Sequence, residues 1–114
     1  MRSIRNTVHL IGNIGLDPEV KVLSNGRKMA RFRLATTDRY RNSEGKMIRE
    51  TQWHTVIVWG NLATIVERYL NKGREIAIDG KIIYRNYEDK DGKTRYVTEI
   101  VANDIALLNN KKGK

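Results

Sequence analysis

The sequence predicts an all-β fold, a five-stranded Greek-key barrel with one short α-helix between strands 3 and 4. Three features predict this class: apolar and polar residues alternate in the strand-forming segments, glycine-containing turns separate those segments, and a single stretch has helical periodicity. A chain of 114 residues is large enough for one hydrophobic core and too small for two. We therefore expect one domain over residues 1–108, followed by a short, disordered basic tail over residues 109–114.

The first strand is predicted over residues 7–14 by its apolar and polar alternation. Gly12 and Gly15 interrupt this pattern, as glycines do at a bulge or where two backbones approach closely. The Asp17-Pro18 dipeptide then predicts a turn, because the residue before a proline is biased away from helical geometry.

A tight hairpin is predicted at Asn25-Gly26, because both residues tolerate a positive φ. Its arms are residues 19–23 and 28–36. Alternate residues of the second arm are apolar, and the residues between them are largely cationic, with Arg31 and Arg33 among them. We expect this strand to be half-buried and to present its arginines to solvent or to a ligand.

Residues 38–50 are polar and include a Glu44-Gly45 turn, so we expect a long, mobile hairpin loop that contains Tyr40. Residues 51–59 have the highest β propensity. Period two places Trp53 and Trp59 on one face, about 20 Å apart at ~3.3 Å per residue. From the pattern alone this face is either the barrel core or an exposed surface, although the valines of the opposite face suit the interior of a small barrel better.

The helix is predicted after Gly60, where the apolar period changes from 2 to 3.6. Asn61 is the expected N-cap and Gly73 the expected C-terminal stop. The predicted apolar face, which would close one end of the barrel, consists of Leu62, Ile65, Val66, Tyr69 and Leu70.

The last strands are predicted over residues 74–87, with a break at Asp79-Gly80, and over residues 94–101 and 105–108. This order of strands and helix is that of the oligonucleotide-binding fold, although other small barrels share it.

The chain is strongly basic, with 22 Lys and Arg against 13 Asp and Glu, a net charge of +9 and a pI near 10. Such a bias predicts a polyanionic partner, the alternative being that the lysines only keep the protein soluble.

The absence of cysteine excludes disulfides and thiolate chemistry, and no stretch resembles a signal peptide or a membrane span, so we expect a cytoplasmic protein. No carboxylate pair, nucleophile, metal-ligand set or phosphate-binding loop is evident, so we expect no enzyme activity, cofactor or metal.

Aromatic residues lie beside arginines at several places, as in Arg39-Tyr40-Arg41, Tyr84-Arg85 and Arg95-Tyr96. A protein that binds single-stranded nucleic acid needs this combination, because unpaired bases stack on aromatic rings and phosphates attract cations. Each stacked base contributes about 1–3 kcal/mol, and every base has a face to stack. The pattern therefore predicts binding that tolerates any sequence.

Six segments carry a family resemblance over about residues 6–108: VHLIGN at 8–13, GLDPEV at 15–20, LAT at 34–36, TQWH at 51–54, YLNKG at 69–73 and DGKTRY at 91–96. On these segments the chain resembles the bacterial single-stranded DNA-binding protein family, which has one oligonucleotide-binding fold per subunit. The resemblance implies sequence-independent binding and protection of single-stranded DNA in replication, recombination and repair.

The resemblance also implies roles for individual residues. The base-stacking residues would be Tyr40, Trp53, Trp59 and Tyr87, which favours the exposed interpretation of the tryptophans. We expect the phosphate-binding residues to come from Arg31, Arg33, Arg41, Arg49, Lys72, Arg85 and Arg95. A homotetramer, a dimer of dimers, is implied, with His54 and the first-strand residues Val8 and Leu10 at subunit interfaces.

The chain departs from the family pattern at Thr7, Thr55 and Asn61, where similar proteins often carry Lys or Arg. It also ends without the acidic tip that recruits other proteins, so we expect no tail-mediated recruitment by these residues. Two alternatives stay open: an interaction module whose main partner is a protein, and an RNA-binding protein, because stacking does not read the 2′-hydroxyl.

Overall fold

A computed structural model describes residues 4–108, and the predicted tail over residues 109–114 lies outside them. The elements, in chain order, are β1 (Val8–Ile14), β2 (Glu19–Val22), β3 (Lys28–Arg41), β4 (Met47–Trp59), α1 (Asn61–Tyr69), β5 (Glu75–Glu88) and β6 (Thr94–Leu107).

The strands form one closed sheet in the order β1-β5-β6-β4-β3-β2. Both β1 and β2 pair with β3, with Asn13 opposite Ala35 and Glu19 opposite Arg31, so they lie end to end along it. They therefore act as one interrupted strand, and the barrel has five strands. The β4–β6 pairing is parallel and the other pairings are antiparallel. The predicted five-stranded barrel, with its helix between the third and fourth strands, is confirmed.

The barrel interior is filled by apolar side chains, mostly aliphatic, from every long strand and from α1. Val56 and Val58 of β4 are completely buried, as the alternation predicted for the face opposite the tryptophans. The other residues of this core are Ile14, Ala30, Phe32, Leu34, Ala63, Val66, Leu70, Ile76, Ile78, Ile100 and Ala102.

The predicted apolar face of the helix is wrong in part. Ile65 and Tyr69 are exposed, whereas Ala63 and Val66 are buried, so the helix packs through a face rotated toward Ala63. Ala63 carries only a methyl group and is completely buried in the core, and α1 packs against β3 and β4. A pattern that counts only large apolar residues misses such a position.

The predicted ends of the helix also need correction. Gly60 occupies the N-cap with φ 67°, and no side chain caps the helix, so Asn61 does not have the expected role. The helix ends where Leu70 becomes extended. Gly73, with φ 90°, lies in the turn before β5, where its N–H donates to the Ile14 carbonyl. Gly73 thus joins α1 to the barrel wall rather than terminating the helix.

The long mobile loop predicted over residues 38–50 is wrong. β3 and β4 stay paired through Asp38–Glu50 and Tyr40–Ile48, and only residues 42–46 form the turn. Asn42 organises this turn, because its side-chain oxygen accepts hydrogen bonds from the backbone N–H groups of residues 44 and 46. The paired strands beyond the barrel, residues 37–41 and 47–51, are called here the β3–β4 ribbon.

A second projecting pair, the β5–β6 ribbon, comprises residues 84–88 and 94–98. Each ribbon is polar because neither of its faces packs on the core, so its composition is that of a loop. β5 continues through the predicted break at Asp79-Gly80, where the pairing register shifts, and β6 is one unbroken strand.

Candidate nucleic-acid interface

Odd-numbered residues of β3 and β4 point outward, because the even-numbered ones fill the barrel and side chains alternate along a strand. The register joins the outward residues of β3 and β4 to those of β6 and β5, so one continuous outer surface forms across four strands. We call it the aromatic face. It consists of Arg27, Arg31, Arg33, Trp53, Thr55, Trp59, Arg85 and Tyr87.

Trp53 lies half-exposed on the aromatic face, at 50% of its surface. Its ring packs over Gly15, where an added Cβ would lie 2.5 Å from a ring carbon. The Gly15 N–H donates to the Arg33 carbonyl, which holds the glycine against β3. The Arg33 guanidinium lies 5.2 Å from the ring centroid, within the range of a cation–π interaction. The indole is thus supported from below and remains open to solvent.

Trp59 is more covered than Trp53, at intermediate exposure. The Arg27 guanidinium carbon lies 4.1 Å from the centroid of its ring. Neither tryptophan belongs to the barrel core, so the buried interpretation that the pattern left open is wrong.

Tyr87 lies on the β5–β6 ribbon and is 49% exposed. On the same face, Arg85 donates from Nε and Nη2 to the two oxygens of Glu99, both at 2.9 Å. The Glu99 hydrogen bond and charge raise the pKa of Arg85 above its ordinary value. Where the β5–β6 ribbon meets the barrel wall, Arg31, Thr55, Arg85 and Tyr87 line an open depression of about 490 Å³.

Tyr40 is separated from the other three aromatic residues. It lies opposite Ile48 on the β3–β4 ribbon, on the face that continues the barrel interior, whereas Trp53 is on the other face. Its ring is 46% exposed because the ribbon extends past the core. The structure therefore brings Trp53, Trp59 and Tyr87 onto one face and leaves Tyr40 on the opposite side of the ribbon.

Three of the seven predicted phosphate-binding residues form ion pairs within the chain. Besides the Arg85 pair, Arg31 Nη2 lies 3.0 Å from Glu19, and Arg95 Nε lies 2.8 Å from Asp89. The hydrogen bond from Arg95 is the main cause of the lowered pKa of Asp89. To bind one of these three arginines, a phosphate would have to displace the carboxylate or share the guanidinium with it.

The remaining four predicted cations are not ion-paired within residues 4–108. Arg41 donates to the Gly45 carbonyl at the tip of the β3–β4 ribbon. Arg33 lies over the ring of Trp53. Arg49 is exposed on the β3–β4 ribbon, on the side of the ribbon that continues the aromatic face. Lys72 lies in the turn after α1, where its backbone N–H donates to Asp17.

The predicted interface residues have mixed positions. Val8 and Leu10 pack partly against the core, and the residues that β1 presents outward are His9 and Ile11. His54 is half-buried, its Nε2 lies 3.0 Å from the hydroxyl of Thr36, and burial lowers its pKa from 6.5.

Two residues that matter on this face were missed by sequence reasoning, Arg27 and Glu99. A signal for Arg27 existed, because it has the same parity as Arg31 and Arg33 and directly follows the Asn25-Gly26 turn. Within residues 4–108, no cluster of His, Asp and Glu is arranged to hold a metal ion. In that same part of the chain no helix has the length and apolarity to cross a membrane.

The chain is similar in sequence to known single-stranded DNA-binding proteins. A model described as the single-strand binding protein family matches residues 5–108. Single-stranded DNA-binding protein 1 of Chlorobaculum tepidum is 40% identical over 107 residues, which cover 93% of this chain and 66% of the relative. The single-stranded DNA-binding protein of Bacteroides thetaiotaomicron is 44% identical over 108 residues, covering 93% and 67%. The chain thus spans about two thirds of the length of these two relatives.

The solved structures agree in fold. The Plasmodium falciparum SSB complex with ssDNA superposes with a TM-score of 0.84 at 30% identity, covering 96% of this chain and 99% of that one. A deletion mutant of the single-stranded DNA binding protein from Thermus aquaticus has a TM-score of 0.81 at 25% identity, covering 93% and 51%.

Proposed function

The chain belongs to the single-strand binding protein family, and we infer from this membership that it binds single-stranded DNA and is not an enzyme. We propose that it binds without sequence preference, with bases stacked on the aromatic face and phosphates held by the surrounding arginines. Its role in the cell would be to cover and protect DNA strands exposed in replication, recombination and repair. We propose that it acts in the bacterial cytoplasm, a proposal supported by the bacterial origin of the similar proteins.

The observation that carries the mechanism is the shared outer face of Trp53, Trp59 and Tyr87. Three aromatic rings on one surface, with guanidinium groups between and beside them, match what a single strand offers, namely flat unpaired bases on a charged backbone. Stacking contacts the face of a base and not its hydrogen-bonding edge, so it does not distinguish one base from another. Binding driven by this surface is therefore expected to tolerate any sequence.

The phosphate contacts are expected to be unequal. Arg33, Arg41, Arg49 and Lys72 have no ion pair among residues 4–108, so each is expected to contribute its full charge. Arg31, Arg85 and Arg95 lose part of any gain, because each exchanges a carboxylate partner for a phosphate. The slope of log affinity against log salt is about −0.7 for each phosphate neutralised, so it measures how many cations take part.

Tyr40 has a separate part in the proposal. Tyr40 lies on the other side of the β3–β4 ribbon from Trp53, so a DNA strand whose bases stack on both residues must pass around the edge of the ribbon. Arg39 and Arg41 flank Tyr40 along β3 and point to the Trp53 side, where they can hold the phosphates at this bend.

Titration with a dT oligomer tests the proposal. Addition of the oligomer should quench tryptophan fluorescence, and Trp53→Ala should lower affinity by about 5- to 150-fold, the equivalent of 1–3 kcal/mol of base stacking. Thermal unfolding of this variant should change little, since Trp53 is half-exposed. The matched control is Tyr84→Ala, which removes a ring 75% exposed on the opposite face of the β5–β6 ribbon and should leave affinity unchanged.

Competing ligands separate the alternatives. A dT oligomer should compete far better than a duplex, and an rU oligomer of equal length measures the preference for DNA over RNA. Equal loss of affinity in the two aromatic variants, or no binding of dT by the wild-type protein, would refute the proposed site.

We also propose that the chain assembles as a homotetramer, with β1 and His54 at subunit interfaces. The support is the outward side of β1, where Ile11 is 60% exposed and borders an apolar depression of about 500 Å³ that Ala77 and Ala106 also line. Burying such a surface against a second copy would remove apolar area from water. Light scattering tests this: Ile11→Glu should lower the mass of the assembly, whereas Ile65→Glu, on the exposed side of α1, should not.

A further inference from the structure

We propose that Arg27 contacts DNA directly and that its guanidinium forms the outer layer of the Trp59 platform, on which a base stacks. This inference rests on the proposed function. It assigns a role to a residue that the family resemblance does not point to.

The position of Arg27 is held by the turn that precedes it. The Leu23 N–H donates to the Arg27 carbonyl at 2.8 Å, and the Arg27 N–H donates to the Asn25 side chain at 2.9 Å. Gly26 has φ 87°, which allows the chain to reverse there. Both polar groups of the Arg27 backbone are thus engaged, so its side chain starts from a defined place.

The same turn is tied to the end of β4, where Trp59 lies. The Gly60 N–H donates to the Lys28 carbonyl at 2.8 Å, and Met29 lies directly opposite Trp59. Arg27 is therefore two residues from the cross-strand partner of Trp59 and on the same face, which lets the guanidinium reach across the ring. The separation of 4.1 Å between Cζ and the ring centroid is that of a close stack.

The Arg27 guanidinium lies over the Trp59 ring on the aromatic face, where Arg27 is exposed and Trp59 is at intermediate exposure. A base that approaches this end of the aromatic face meets the guanidinium first. Guanidinium planes stack with nucleobases much as aromatic rings do. The pair of Arg27 and Trp59 is therefore a two-layer platform.

The charge of Arg27 is available as well. Within residues 4–108 no carboxylate lies within ion-pair distance of Arg27, whereas its sequence neighbour Lys28 pairs with Glu67 at 2.5 Å. This distinguishes Arg27 from Arg31, Arg85 and Arg95, whose charges are partly compensated. Arg27 can thus add stacking and phosphate attraction at one position.

The experiment measures binding of a labelled dT oligomer by anisotropy over a series of NaCl concentrations. Arg27→Ala should lower affinity about five- to tenfold and make the salt slope less steep by about 0.7, the loss of one phosphate contact. Arg27→Lys should keep the slope, because the charge remains, and show an intermediate affinity, because the flat stacking group is lost. The matched control is Arg68→Ala on α1, which removes an exposed cation outside the aromatic face and should change neither quantity.

The outcomes are distinguishable. If the wild-type protein fails to bind dT, the proposed function itself is wrong. If the wild-type protein binds and Arg27→Ala behaves like Arg68→Ala, only the role of Arg27 is wrong. Tighter binding by Arg27→Ala would also overturn the inference, since it would mean that the guanidinium obstructs Trp59 rather than extending it. Thermal unfolding of each variant shows that the fold is retained.

Discussion

Substitution of Gly15 by alanine tests whether the position of the Trp53 ring, and not merely its presence, determines affinity. An alanine Cβ would lie 2.5 and 2.8 Å from two carbons of the indole, whereas carbons in contact prefer about 3.5–4.0 Å. The ring must therefore move by about 1 Å. The φ of Gly15 lies outside the left-handed region, so alanine is tolerated by the backbone and the clash is its main effect.

Gly15→Ala should lower the affinity for dT and leave the free energy of unfolding nearly unchanged. Trp53 is half-exposed and can move toward solvent, so the free energy of unfolding should change by less than about 1 kcal/mol. Stacking contributes about 1–3 kcal/mol per base, and loss of part of it should weaken dT binding roughly tenfold.

Gly12→Ala is the matched comparison. Its Cβ would meet the carbonyl oxygen of Ala35, a backbone atom in a paired strand that cannot move aside. This variant should lose about 1–3 kcal/mol of stability through overpacking. Affinity titrations and denaturant unfolding of both variants give the test. If Gly15→Ala binds dT as tightly as the wild-type protein, or if it loses as much stability as Gly12→Ala, the reasoning about the Trp53 support is refuted.

Two further predictions concern charged groups. Glu99→Gln should release Arg85 for a phosphate and make the salt slope of dT binding steeper by about 0.7, whereas Glu88→Gln, an exposed control on the same ribbon, should not change the slope. Burial lowers the pKa of His54, so the unfolded state binds more protons; stability should be full above pH 6.5 and fall as the pH drops through this value toward the folded pKa. Thermal unfolding between pH 8 and pH 5 measures this fall, and it should be weaker in His54→Gln.

Alternation and turn chemistry were sufficient to predict the barrel. The Asn25-Gly26 hairpin and the inward side of β4 follow from local rules, because a half-buried strand must separate its apolar and polar residues. The helix could be located for the same reason. Its packing face could not, because the close contact through Ala63 depends on how near β3 and β4 come to it.

The β3–β4 ribbon could not be predicted from the same rules. Hydrophobic periodicity reports burial, and a strand pair without a buried face carries no such signal. For that reason residues 38–50 have the composition of a loop although most of them are paired. The position of Tyr40 relative to Trp53 depends on this pairing, so it could not be predicted either.

The ion pairs on the aromatic face could not be predicted from the sequence either. Arg85 and Glu99 are 14 residues apart and meet only because β5 and β6 are paired in one register. A list of cations in the sequence therefore overestimates how many charges are free to hold phosphates.

The two ribbons are attached to the barrel only at the ends from which they project. Beyond the barrel, their backbone hydrogen bonds are covered by neither a core nor a third strand, so they open more readily than those of Val56 and Val58. DNA bound as proposed along these ribbons would restrict their bending, and the conformational entropy lost in this way would be subtracted from the affinity that stacking provides. A shorter, stiffer ribbon would retain more of that affinity, whereas a long ribbon can adapt to DNA strands that follow different paths.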